Sequence, residues 1–312
     1  GGWNIDVASA VAVQPDGRIV VAGGVRTGAS SSDIAVVRLT PDGTLDASFD
    51  ADGIRYVNFG LSAPGGESYD SADALALQSD GKIVVAGSAT SANGWDTVVT
   101  RLTPAGALDA TFGNYLTGRS RFSYVAGRAS HATAVAVSEP VLDPNGGRRI
   151  VVASDTTTAT AQVFALAVLR DDGTLDPGFS ADGKTTIAFD AAGEAGATSK
   201  AVAIRSGFRR VGSFLVPYRQ IVAGGHVSLA SGRTAVALAR VNFDGSLDAT
   251  FGNGGKSRFT SNQYLLGPPT SCNGVALARQ GAQLVVGARC RVLSGNFYGP
   301  DSFALMRAIL DE

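Results

Sequence analysis

The sequence predicts an all-β fold, five four-stranded antiparallel blades closed into a β-propeller, and three observations carry that prediction. One hairpin unit recurs five times: AVAVQPDGRIVVAGG from Ala10, ALALQSDGKIVVAGS from Ala74, AVAVSEPVLDPNGGRRIVVAS from Ala134, AVAIRSGFRRVGSFLVPYRQIVAGG from Ala201 and GVALARQGAQLVVGA from Gly274. The copies start 64, 60, 67 and 73 residues apart, a period that marks an array of stacked supersecondary units. Their apolar runs are short and β-branched, and the two chain ends complement one another.

Each copy opens with a hairpin. In the first, Val11-Ala12-Val13 and Ile19-Val20-Val21 flank Pro15-Asp16-Gly17, where Pro presets φ, Asp caps the turn and Gly supplies a positive φ. A third strand follows a variable loop: DIAVVRL from Asp33, DTVVTRL from Asp96, FALAVLR from Phe164, TAVALAR from Thr234 and SFALMRA from Ser302. A fixed loop comes next, TPDGTLDASF from Thr40 and its counterparts from Thr103, Asp171 and Asn242, leading to a fourth strand such as GIRYVNF from Gly53 or KSRF from Lys256. Runs such as VAV and IVVAG lack polar alternation and predict burial on both faces. Ala12, Ala76, Ala136, Ala203 and Ala276 sit between larger residues in the first strand, as a tapering axis requires.

The ends predict closure. Gly1-Gly2-Trp3-Asn4-Ile5 matches the stretch from Gly254 that opens a fourth strand, whereas Leu310-Asp311-Glu312 follows a third. Residues 1–7 are expected to supply the outermost strand of the blade built from 274–308, leaving no exposed sheet edge. Residues 1–312 are thus expected to form one domain. The net charge of −1, with no basic stripe apparent, gives no nucleic-acid footprint. No run approaches the roughly 18 apolar residues of a membrane span, so no membrane insertion is expected. A chain that opens inside a repeat reads as a piece of a larger multidomain protein.

The succession DGRIVVAGG, VVRLTPDGTLDASF and a G-x-x-x-x-x-F strand resembles the bacterial delta-60 repeat, an uncharacterised propeller-type repeat found in tandem. The resemblance covers essentially the whole chain. It implies a propeller and a secreted or cell-surface setting, and brings no catalytic residues. The third and fourth copies depart from the pattern with inserts at Val141–Gly147 and Phe208–Pro217.

Several residues are candidates for chemistry. Arg38, Arg101, Arg170, Arg240 and Arg307 end third strands, and Asp46, Asp109, Asp176 and Asp248 sit in the L-D-x-x-F loops. Recurrence in successive copies points to loop-ordering Arg–Asp pairs. Asp50-Ala51-Asp52-Gly53 and Asp182-Gly183 raise calcium, but lack the full spacing of a calcium loop and read as turn carboxylates, so no cofactor is expected. His131 and His226, the only histidines, flank inner hairpins and are expected at one end. With Asp6, Asp70, Asp73 or Asp155 nearby they offer an acid/base set without a matching motif. Cys272 and Cys290 bracket the last copy's hairpin within about two positions of being opposite, which predicts a disulfide.

Variable loops on a repeated scaffold are where function is built. Here they carry Tyr69, Trp95, Phe297 and Tyr298. With Asp70, Asp155, His131 and His226 these are the expected ligand-binding residues. Inner strands without acids predict a non-catalytic binding or adhesion module for a protein or glycan, rather than an enzyme. The alternative is a propeller-type hydrolase or lyase with an acid/His site at the same face.

Overall fold

The computed structural model describes residues 6–29, 31–92, 94–113, 117–139, 147–189, 194–259, 270–280, 283–294 and 297–308. Among these residues the chain is all β, with nineteen strands and no helix. The first copy forms β1 (Val7–Val13), β2 (Ile19–Gly28), β3 (Ser31–Leu39) and β4 (Ile54–Val57), and the second β5 (Ser68–Leu77), β6 (Ile83–Ser91), β7 (Gly94–Leu102) and β8 (Arg119–Phe122). Within each, successive strands pair antiparallel. A short parallel pairing, Ser31 with Ser68 and Ser32 with Tyr69, joins these two sheets.

The third copy forms a four-stranded sheet of β9 (Ser130–Ser138), β10 (Arg149–Thr157), β11 (Gln162–Arg170) and β12 (Lys184–Ile187). The fourth comprises β13 (Glu194–Val211), β14 (Phe214–Leu229), β15 (Thr234–Asn242) and β16 (Lys256–Phe259). In the fifth, β17 (Thr270–Gln280), β18 (Gln283–Ser294) and β19 (Phe297–Ala308) make three strands. The chain divides into two compact units, residues 1–156 with 168–176, and residues 157–167 with 177–312.

In the first unit Val20, Ile34, Phe49, Ile83, Val98 and Leu102 share one buried cluster. In the second, Val222, Leu238, Phe251, Val275 and Val286 share another. Second and third strands carry this packing, and every residue of β6 is buried. First strands differ from expectation: Val7, Val11 and Val13 of β1 are 52, 66 and 64% exposed, because β1 is the edge of its sheet and pairs on one side only. The central alanines of the first strands are correspondingly only partly buried or, at Ala276, exposed.

One boundary moves. Val7 pairs with Gly24 inside β1, so it belongs to an inner strand and not to an outermost one. Residues 1–5, expected to complete the last blade, and residues 141–146 of the third-copy insert lie outside the described residues. A register shift that no sequence pattern announces also recurs, between Ala8 and Ala10, Ala72 and Ala74, Ser199 and Ala201, and Asn273 and Val275, with a matching shift at Ala153/Ser154. Such bulges bend a strand and re-aim the side chains beyond them. Here they separate the loop-end residues considered below from the rest of each strand.

Candidate functional site

The recurring acids order loops. Asp46 Oδ2 accepts from Arg38 Nε and Arg18 Nε, each at 2.8 Å, while Oδ1 accepts from the Ser48 amide at 3.0 Å and hydroxyl at 2.6 Å. Asp109 repeats this with Arg101 at 2.7 Å, Lys82 at 2.9 Å and Thr111. Asp248 does so with Arg240 at 2.8 Å, Gln220 and Thr250. Each guanidinium covers the loop's own Phe, with centroid distances of 4.8 Å at Phe49, 4.6 Å at Phe112 and 4.9 Å at Phe251. The Ser48 hydroxyl leads the interactions that hold the Asp46 carboxyl far below its usual range. Burial would raise Asp109, but Lys82, Thr111 and Arg101 reverse this and hold it far below.

The third copy corrects the assignment of Arg170. Bridges pair Leu39 with Leu45, Leu102 with Leu108, Leu169 with Leu175 and Val241 with Leu247. Counting from them, the position of Arg38, Arg101 and Arg240 is held by Val168. Asp176 is served instead by Arg149 at 2.5 Å and by Arg170 at 3.3 Å from two residues further on.

Acids that do not recur gather at the loop end of the first unit. Asp70 stands opposite Ala89, which stands opposite Asp96, so the two carboxyls share a row across β5, β6 and β7. The parallel pairing of Ser32 with Tyr69 sets Asp33 beside Asp70 at the next position. Asp70 is wholly buried. Its Oδ2 accepts from the Phe59 amide at 2.6 Å, and its Oδ1 is buried without a hydrogen-bond partner. Burial pushes this carboxyl up to about 6; the Phe59 amide opposes the rise, and the neighbouring Asp33 charge adds to it. Asp33 accepts from Asn58 Nδ2 at 2.7 Å, and Arg119 donates to the Asn58 carbonyl. Asp96 pairs with Arg121 at 2.6 Å and also keeps a buried oxygen without a partner.

Asp33, Asn58, Arg119 and Asp96 were missed by reading the sequence. Their signal was present in third strands that begin with Asp in only two of the five copies. Asp6, equivalent to Asp70 in the first copy, accepts from the Arg26 amide at 3.0 Å. Asp73 accepts from the Ser88 hydroxyl at 3.0 Å. Of the calcium candidates, Asp50 pairs with Arg55 at 3.2 Å and Asp52 accepts from the Ile54 amide at 2.8 Å. Among the described residues no group of three or more His, Cys, Asp or Glu is placed to hold a metal ion.

Five of the expected ligand-binding residues meet at this same end. Tyr69 donates its amide to Thr90 Oγ1 at 2.9 Å, and Thr90 stands opposite Trp95. The Trp95 and His131 rings lie 5.2 Å apart at 42°, and His131 stands opposite Asp155 across β9 and β10. Burial lowers the His131 pKa, so its imidazole is neutral near pH 7. Tyr69 and Ser71 also line a pocket of about 210 Å³ with Arg26, Ser31 and Ser32. His226 lies on β14 in the second unit, opposite Thr198, with a buried Nδ1 lacking a partner and a pKa lowered by burial and by Lys200. Phe297 and Tyr298 open β19, where side chains fall outside the description.

Residues 14–49, 78–112, 148–179 and 219–251 match a family described as domain of unknown function (DUF5122) beta-propeller. Four segments, one in each of the first four copies, thus match a β-propeller repeat family. Each matched segment ends at the Phe of an L-D-x-x-F loop. No curated protein matches significantly.

Similar solved structures include an exo-1,5-alpha-L-arabinanase from a bovine ruminal metagenomic library, at 12% identity and TM-score 0.42, covering 99% of this chain and 96% of that one. The catalytic domain of the Coprinopsis cinerea GH62 alpha-L-arabinofuranosidase is 12% identical with TM-score 0.40, over 96% and 88%. A GH43 endo-arabinanase from Bacillus licheniformis is 11% identical with TM-score 0.38, over 96% and 92%. These neighbours are enzymes, and the expectation of a non-catalytic module is withdrawn against them; at such identity the likeness shows the fold alone, and any activity of this chain rests on its own residues.

Proposed function

We propose that the chain is a hydrolase acting on a glycan by carboxyl acid–base chemistry, with Asp70 as proton donor and Asp33 as the second carboxyl. One observation carries this reading: a buried carboxyl held protonated to about pH 6 beside a second carboxyl, at one place in a repeated scaffold. Neighbouring carboxyls in unlike environments divide acid and base roles, and of these two Asp70 is the buried one. Protonated Asp70 gives its proton to the leaving oxygen, and Asp33 takes one from the attacking water, so one water is added across the bond. The Trp95 and His131 rings supply a face for a sugar. The reading requires the segment after Asn58 to lift from Asp70, and the Phe59 amide contact is what must break.

Asp70→Asn and Asp33→Asn are each expected to lower turnover about 10²–10⁴-fold on whichever polysaccharide, arabinan included, the protein cleaves. Wild-type activity should fall as pH rises through about 6, where Asp70 loses its proton. Full activity in Asp70→Asn, or no hydrolysis of any glycan tested, rules the assignment out.

The same group makes a stability prediction. Its folded pKa lies above the ordinary 3.8, so its stabilising proton is fully held below that value and lost as pH rises through about 6. Above pH 6 the buried carboxylate costs about 2–3 kcal/mol, and Asp70→Asn should raise Tm at pH 8 by more than at pH 4. A residue kept at a cost in stability is a mark of function.

The finer architecture belongs to the same proposal. The repeats are of the delta-60 type, five blades close into one propeller domain, and residues 1–5 complete the last blade of a secreted or surface protein. Cys272, buried and directly opposite Cys290, supports a bridge. Unfolded, unreduced protein should then take up no iodoacetamide; two added groups per chain would refute the bridge.

A further inference from the structure

The fourth copy carries a hairpin longer than its counterparts. β13 and β14 stay paired as far as Val211 and Phe214, closing through Gly212 and Ser213. The base of this arm is held by stacked cations, Arg205 over Tyr218 at 5.1 Å and Arg219 over Phe243 at 4.4 Å. Beyond it, apolar side chains stand in solvent: Phe208 is 58% exposed, Phe214 76% and Val216 36%.

The register decides what could cover them. Phe208 stands opposite Pro217, two positions from Arg210, and therefore lies on one face; Phe214 and Val216 lie on the other. A ribbon apolar on both faces cannot bury both against one flat protein surface. A bilayer interface surrounds it and can.

Charge identifies the lipid. Residues 195–243 contain seven Lys or Arg and no Asp or Glu, in a chain whose net charge is −1. Arg209 and Arg210 are adjacent at the tip, and Arg210 is exposed. Basic residues beside exposed aromatic rings match an anionic headgroup layer above acyl chains.

We propose that the tip around Phe208 and Phe214 seats in the interface of an anionic bilayer, with Arg209 and Arg210 at the headgroups. The arm rests on the membrane and does not cross it. The whole chain should sediment with phosphatidylglycerol vesicles and only weakly with phosphatidylcholine, and added salt should weaken binding. Arg209→Gln with Arg210→Gln should reduce affinity about 25-fold at low salt, roughly fivefold per charge. Phe208→Ser with Phe214→Ser should reduce it at least about tenfold with an unchanged circular dichroism spectrum. Phe214→Trp provides a second measurement, a blue shift in emission when phosphatidylglycerol vesicles are added. The proposal is overturned by absent binding at low salt, by equal binding to both lipids, by full binding of the Phe variant, or by a Trp emission that vesicles leave unmoved. Capture of a protein partner without vesicle binding overturns it as well.

Discussion

Asp109→Ala is expected to cost about 3–5 kcal/mol of folding stability, measured as a lower denaturant midpoint. Arg101 is 1% exposed, and its guanidinium is shared among Asp109 at 2.7 Å, Asp171 at 2.9 Å and the Phe112 ring. Removing Asp109 leaves that buried cation with Asp171, whose side chain is 45% exposed. It also frees Lys82 and uncaps the Thr111 amide and hydroxyl. Asp109→Asn keeps the cap and loses the charge, and should fall about midway.

Asp176→Ala should cost less, about 1 kcal/mol, because its partners Arg149 and Arg170 are 13% and 47% exposed, against 2% for the Arg101 side chain. Asp109 is held far below its ordinary pKa, so its contribution is present above about pH 4 and lost as pH falls further. Acid unfolding of the variant should accordingly be less steep. A loss under 1 kcal/mol in Asp109→Ala would show that these pairs merely decorate the loop.

Gly173→Ala is the second large effect, expected at about 3 kcal/mol or more. At φ +80° an added Cβ would lie 2.6 Å from the Gly113 amide nitrogen and 2.8 Å from the Phe112 ring. That nitrogen donates to the Asp172 carbonyl at 2.7 Å, so the methyl would push apart a backbone contact between neighbouring copies. Gly43 holds the same place in the first copy at φ +88°, with nothing described within 4 Å. Gly43→Ala should therefore show only the cost of a positive φ, about 1 kcal/mol. Equal losses at the two positions would mean that position 43 is covered in solution.

The candidate site was legible only in part. Tyr69, Asp70, Trp95, His131 and Asp155 could be placed at one end because they flank the same hairpins, and they do meet there. Asp33 could not, since its relation to Asp70 depends on a two-residue parallel pairing between copies that no local pattern announces. Arg170 was misplaced because the third copy carries Val168 at the position that Arg38 and Arg101 hold and an arginine two residues later, so the strand ends look alike without being aligned. The even overall charge likewise concealed an acid-free stretch of the fourth copy, residues 195–243.

By itself, the sequence determined that the chain is all β, where its strands and turns fall, and that L-D-x-x-F loops repeat. Those follow from turn chemistry and apolar runs, which act over a few residues. Only the tertiary structure decided which carboxyl is buried, which acids become neighbours, and which apolar residues stay in water. A pKa, an ion pair or an exposed ring depends on what other strands bring near it, and a linear period does not contain that.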